Sequence, residues 1–180
     1  MIKVLGTGVV LVIHKITFFE AIKWSNVSVA LACLSSTAFF TSILEPLYHR
    51  RRMAWPEPFF GLRIIVGLYF VFSFEFEYIG RMILGIVLAL FAAWFTVLNA
   101  LWAGETDAKT ITLYELLGVL GSLTLLLLVT GGFNVEQMTL SGNDFGWLLI
   151  LGTVGTAFSF YLSVQLVERQ TPYTFVMKIN

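Results

Sequence analysis

His14 and Lys15 stand side by side near the middle of an apolar stretch that runs from about Val4 to Ile22. Charge held in hydrocarbon is expensive, so ionisable residues at that depth face a cavity, a substrate path or a partner. Two chemistries are open to the pair. Either they bind substrate or relay protons, or Lys15 pairs with an acidic group while His14 makes a hydrogen bond between helices. Glu20, farther along the same stretch, is spaced for an i,i+3 ion pair with Lys23 near the outer interface. Trp94 and Asn99 fall inside another apolar window, where an amide needs a partner on a neighbouring helix. Asn99 therefore lines a polar cavity or bridges two helices. Tyr114 and Glu115 are expected to open a further span, where a first-turn carboxylate meets the positive end of the helix dipole. No nucleophile, base and orienting group can be assembled. His14 and His49 fall on different helices at different depths, and HExxH, GxSxG and Gly-rich phosphate loops are missing. The sequence does not read as an enzyme, and it asks for no cofactor or metal.

The elements that position these residues are membrane spans. Four windows carry no charged side chain: Trp24 to Leu44, Met82 to Gly104, Leu116 to Val135 and Phe145 to Val167. Each is about the ~20 residues that cross a bilayer as a helix. Three less clean spans join them: the N-terminal one, one from about Phe59 to Phe74 containing Arg63, and a seventh opening at Pro172. The nine residues from Pro172 to Asn180 cannot by themselves cross ~30 Å of hydrocarbon at ~1.5 Å per residue. With 58% hydrophobic and 12% charged residues, the composition lies far from that of soluble domains, of which roughly a quarter is charged. The fold class expected is all-α, a polytopic transmembrane helical bundle. A net charge of zero leaves no basic face for nucleic acid. Cys33 is alone within an apolar span and is expected to be a small packing residue. His14 and Lys15 interrupt the first apolar run and no cleavage pattern follows, so it is expected to be a retained helix rather than a signal peptide.

Loop charges set an orientation. The tract His49-Arg50-Arg51-Arg52 between the second and third spans is expected in the cytoplasm. Alternation then places Lys3, Lys109 and Arg169 inside as well, with Lys23, Arg81 and the acidic stretch Glu136 to Asp144 outside. Small residues recur at helical spacing in Ser28, Ala32 and Ser36, in Gly155, Ser159 and Ser163, and in Gly85 with Ala89. Such spacing predicts close helix crossings, so Ser159→Leu is expected to disturb packing. Tyr48, Trp55, Tyr78, Trp102 and Trp147 lie near span ends, as interfacial anchors do. The turn Lys23-Trp24-Ser25-Asn26-Val27-Ser28 can be laid over Arg169-Gln170-Thr171-Pro172-Tyr173-Thr174. Five spans separate the two turns, which puts them on opposite sides of the membrane, the arrangement of an inverted repeat.

The stretches His14 to Lys23, Ser25 to Leu31, Leu44-Glu45-Pro46-Leu47, Thr110 to Leu116 and Thr171-Pro172-Tyr173-Thr174 together resemble the EamA family of the drug/metabolite transporter superfamily. The likeness runs over nearly the whole chain. It implies part of a ten-helix, inverted-repeat transporter with both termini cytoplasmic, covered here from its third helix to the opening of its ninth. Residues 1–80 would then be the C-terminal part of the first repeat, with three spans. Residues 81–180 would be the N-terminal part of the second, with three spans and the start of a fourth. The function expected is a secondary carrier, or permease, of small metabolites or drugs in the cytoplasmic membrane. The alternative is a membrane subunit or truncated fragment without transport of its own. Phe18 joins His14, Lys15, Glu20, Trp94, Asn99, Tyr114 and Glu115 as candidates for the substrate pathway. The partners expected are the lipid bilayer, a small-molecule substrate and, as one option, a second copy of the chain in a homodimer.

Overall fold

The structure is a computed structural model that describes residues 2–50, 52–72, 79–132 and 139–179. Arg51 of the arginine tract, Tyr78 and Glu136 lie outside the described residues, as do the side chains of Arg81 and Met82. In chain order the helices are α1 (Ile2–Trp24), α2 (Val27–Leu34), α3 (Thr37–His49), α4 (Pro56–Phe72), α5 (Ile79–Ala103), α6 (Ala108–Thr130) and α7 (Gly142–Ile150). A π-helical stretch, Leu151–Phe158, joins α7 to α8 (Ser159–Glu168), and α9 (Pro172–Ile179) follows. No strand occurs among the described residues.

Five helical stretches are long and apolar enough to cross a membrane: Lys3–Trp24, Val27–His49, Ile83–Ala103, Ala108–Thr130 and Gly142–Glu168. They mark the chain as a membrane protein. Helix α4 is shorter, at 17 residues, and its Arg63 guanidinium lies 4.5 Å from the Phe59 ring centroid and 5.7 Å from that of Phe60. Ring faces attract such a cation.

Helix α1 is the hub and packs along both α5 and α6. Its tightest crossing is with α6 at Gly8 and Gly118. A Cβ on Gly8 would stand 2.6 Å from the Glu115 carbonyl oxygen, and one on Gly118 would stand 2.5 Å from that of Leu5. Without a hydrophobic drive between helices in lipid, such backbone approach supplies the packing contact. Helix α5 offers a second seam of Gly85, Ala89 and Ala93, all buried, with Gly85 against the buried Cys33 of α2.

The predicted small-residue faces need correction. On α2 the buried residues are Val29, Ala30 and Cys33, Ser28 is exposed, Ala32 is half-buried, and the buried Ser36 lies beyond the helix at the start of α3. Gly155 and Ser159 are exposed too, because the last span lies at the rim, with only 6% of its most apolar window buried. Ser159 Oγ instead donates to the Val154 carbonyl at 3.0 Å, within the π-helical stretch. Ser159→Leu should therefore match the volume-conserving Leu125→Met to within about 1 kcal/mol in thermal unfolding, as surface changes usually do. A much lower midpoint for Ser159→Leu would restore the seam.

The start of α6 also differs from expectation. Asp107 is its N-cap, in extended backbone, accepting from the Thr110 amide at 3.1 Å and the Thr110 hydroxyl at 2.7 Å. Tyr114 and Glu115 thus sit two turns inside the helix, where a carboxylate has no orphan amides to cap. Those same bonds from Thr110 hold the Asp107 carboxyl below the ordinary carboxylate range. A depressed carboxyl contributes stability that is complete above its unfolded pKa and is lost as pH falls through its folded value. Acid unfolding of the detergent-solubilised protein should show that loss below about pH 4, and Asp107→Ala should remove it. An unchanged acid limb in Asp107→Ala would count against the cap.

Of the expected interfacial aromatics, Trp55 is 77% and Trp147 65% exposed. Tyr48 and Trp102 are instead tied inward. The Trp94 indole donates to the Tyr48 hydroxyl at 2.9 Å, and the Trp102 indole donates to Thr7 Oγ1 at 3.0 Å. At the other end of the chain, the Tyr173 amide in the first turn of α9 donates to Glu45 Oε2 of α3 at 2.7 Å. Glu45 is 1% exposed. Pro172 has no N–H to give, so Tyr173 supplies the first amide of the turn, and a carboxylate is the acceptor favoured there.

Candidate functional site

A cavity of about 240 Å³ lies among α1, α2, α3, α5, α8 and α9. His14 and Lys15 enter it from α1 and Asn99 from α5, and Thr37, Thr96 and Ser163 add hydroxyls. Phe95, Phe160 and Phe175 form much of the apolar wall, the first two with ring centroids 5.7 Å apart. The polar groups are few and convergent within an apolar lining, which is the usual make-up of a small-molecule site.

His14 Nδ1 lies 3.3 Å from the Leu88 carbonyl of α5. A carbonyl only accepts, so Nδ1 carries the hydrogen and the neutral ring keeps Nε2 as an acceptor. Lys15 has no carboxylate within ion-pair distance among the described residues, and its ammonium lies 5.8 Å from the Phe160 ring centroid. The expected acidic partner of Lys15 is thus not found, whereas the helix-to-helix bond of His14 is. Thr96 Oγ1 donates to the Ala92 carbonyl at 2.9 Å, and Ser163 Oγ donates to that of Ser159 at 2.8 Å. Each hydroxyl keeps its acceptor lone pairs for a guest.

Two departures from regular helix border the cavity. Between α2 and α3 the Ser35 hydroxyl donates to the Ala32 carbonyl and the Thr37 hydroxyl to that of Leu34. Hydroxyls that bond nearby carbonyls offer the backbone an alternative to the helix ladder. The break falls between Leu34 and Thr37, both of which line the cavity. In the last span, Thr156 Oγ1 donates to the Leu151 carbonyl at 3.1 Å, five residues back, in the widened turn of the π-helical stretch. Phe160 and Ser163 follow it directly into the cavity wall.

Comparison with protein-family models, with curated proteins and with solved structures finds no match.

Of the eight candidate residues, His14, Lys15 and Asn99 line the cavity. Phe18 packs against the buried cluster of Ala21, Ala30 and Leu88. Glu20 bonds Lys23 at 2.6 Å and accepts from the Trp24 indole at 3.3 Å. Trp94 is held by Tyr48 and stacks on Phe91. Tyr114 packs on the cluster of Val4, Ala108, Ile111 and Val164. Glu115 is fully buried behind the cavity wall, with the Asn99 side chain beside its carboxyl. Thr37, Thr96 and the three phenylalanines were missed, and Ser163 was expected chiefly in a packing face. Thr96, one turn before Asn99 on the same helix, carried the best available signal.

Proposed function

We propose that the protein is a secondary carrier that moves a small organic molecule across the cytoplasmic membrane by alternating access, as the resemblance to the EamA family implies. The observation that supports this most is the cavity itself, with a lysine that has no counter-charge among the described residues. Its walls come from α1–α3 and from α5, α8 and α9, which belong to the two proposed repeats. Repeat-built carriers bind at such a junction, near the membrane midplane, beside interrupted helices. A π-helical turn at a functional site is likewise a common association. The volume lies just below the ~300–1,000 Å³ of drug-sized pockets, which favours a metabolite of a few heavy atoms. The Lys15 ammonium favours one that carries a carboxylate or similar anion, and the phenylalanines favour an apolar body.

Purified protein in liposomes should accumulate one or more members of a panel of labelled small carboxylates, including aromatic and branched ones. Uptake no greater than in protein-free liposomes across the whole panel, from protein shown to be folded and inserted, would sink the proposal.

A further inference from the structure

Behind the cavity wall lies a group of buried oxygens, one of them on the cavity-lining Asn99. Glu115 is 0% exposed, Asn99 4% and Thr112 7%. Both carboxyl oxygens of Glu115, the amide oxygen of Asn99 and the hydroxyl of Thr112 are buried without a hydrogen-bond partner of good geometry among the described residues. Thr112 and Glu115 share a face of α6 at i,i+3 spacing, and Asn99 approaches Glu115 from α5. Buried polar groups are almost always paired, so four orphaned oxygens on three adjacent side chains require an explanation.

We propose that Asn99, Thr112 and Glu115 form a site for one monovalent cation, a proton or Na⁺, which loads the carrier alongside its substrate. The oxygen set is hard: a carboxylate, an amide carbonyl and a hydroxyl suit a proton or an alkali cation rather than a soft metal. One negative charge fits one positive charge, whereas a divalent ion would leave a buried excess. A bare carboxylate with no counter-charge is not tolerated at this depth, so occupancy neutralises the site. The titratable groups on the packed faces are Lys3, His14 and Lys15 of α1, Tyr114 of α6 and Tyr161 of α8. None of them reaches a Glu115 oxygen, and the exposed Glu20–Lys23 pair and Glu168 lie at helix ends. Asn99 belongs to both places, as a neighbour of Glu115 and as part of the cavity lining. The loading role rests on the carrier reading above, while occupancy of the site can be measured without transport.

Two arms distinguish the cations in the full chain reconstituted in nanodiscs. Infrared difference spectra across a pH titration should show the carbonyl stretch of a protonated carboxyl that is lost in Glu115→Gln. Alternatively, NaCl at about 100 times its Kd, against choline chloride at equal ionic strength, should raise the thermal midpoint by about 5–10 °C. That rise should vanish in Glu115→Gln and weaken in Thr112→Val. Glu115→Gln keeps the shape of the neutralised group, and Thr112→Val is a second probe if it fails to fold. A signal in either arm that depends on Glu115 supports the site. Neither signal in folded wild-type protein would overturn it, even if uptake persists. A Glu115-dependent signal in a protein that transports nothing would keep the site and remove the carrier.

Discussion

Under the proposed carrier function, Lys15→Ala should cut accumulation of small anions by roughly one to two orders of magnitude while leaving insertion and abundance close to wild type. The two halves of this result have separate physical causes. In the cavity the ammonium is the one fixed cation, and a charged hydrogen bond to a substrate contributes about 1.5–3 kcal/mol. At about 1.4 kcal/mol per tenfold, uptake at sub-saturating substrate should fall roughly 10- to 150-fold. Abundance is spared because no buried ion pair is broken. Removing one partner of such a pair would strand the other charge at about 3–5 kcal/mol, and Lys15 has no such partner among the described residues. The measurement is uptake per folded molecule, with the folded fraction read by size-exclusion chromatography. Activity that falls only in step with folded protein would make Lys15 structural, and undiminished uptake would remove it from the site.

Gly8→Ala should be among the most damaging single-methyl changes in the chain. The new carbon would stand 2.6 Å from the Glu115 carbonyl oxygen and 2.9 Å from two backbone atoms of Gly118. Those atoms belong to a helix that cannot rotate a side chain out of the way, so α1 and α6 must separate. Overpacking of this kind costs about 1–3 kcal/mol or more. Gly6→Ala supplies the control on the same helix, since a Cβ there meets nothing within 4 Å. In a helix interior it should be neutral or up to about 1 kcal/mol stabilising. Thermal midpoints in one detergent, with expression level as a second reading, test the pair. Equal midpoints for the two variants would show that the crossing yields more readily than its geometry implies.

What the sequence made legible followed hydropathy and local spacing. The first, second, fourth and sixth spans were placed within a few residues by their apolar runs, and Glu20 with Lys23 by i,i+3 spacing. The start of α6 was misplaced because the run of uncharged residues begins only at Leu116, whereas the helix begins where Asp107 caps it. A cap is hydrogen-bond chemistry and leaves no mark on a hydropathy profile. Glu115 was consequently assigned to a helix end when it lies in the interior. The close crossing of Gly8 with Gly118 was invisible for another reason. Spacing within one helix says which residues share a face, but not which face meets a neighbour 110 residues away. The same limit separated Gly155 and Ser159, exposed at the rim, from Ser163 in the cavity wall. His14, Lys15 and Asn99 could be singled out because polar side chains are conspicuous in an apolar span. Thr37 and Thr96 could not, because a threonine that bonds a carbonyl three or four residues back is unremarkable in sequence.

The bond from the Tyr173 amide to Glu45 has a consequence for biogenesis. Its two residues are 128 positions apart. At about 5–20 residues per second, roughly 6–26 s of synthesis separate the appearance of the acceptor from that of the donor. Helix α3 must therefore enter the membrane before the contact that fixes α9 against it can exist, and Phe175 and Val176 reach the cavity wall only with α9. Until α9 is made, the membrane-inserted intermediate therefore has a cavity with one side open.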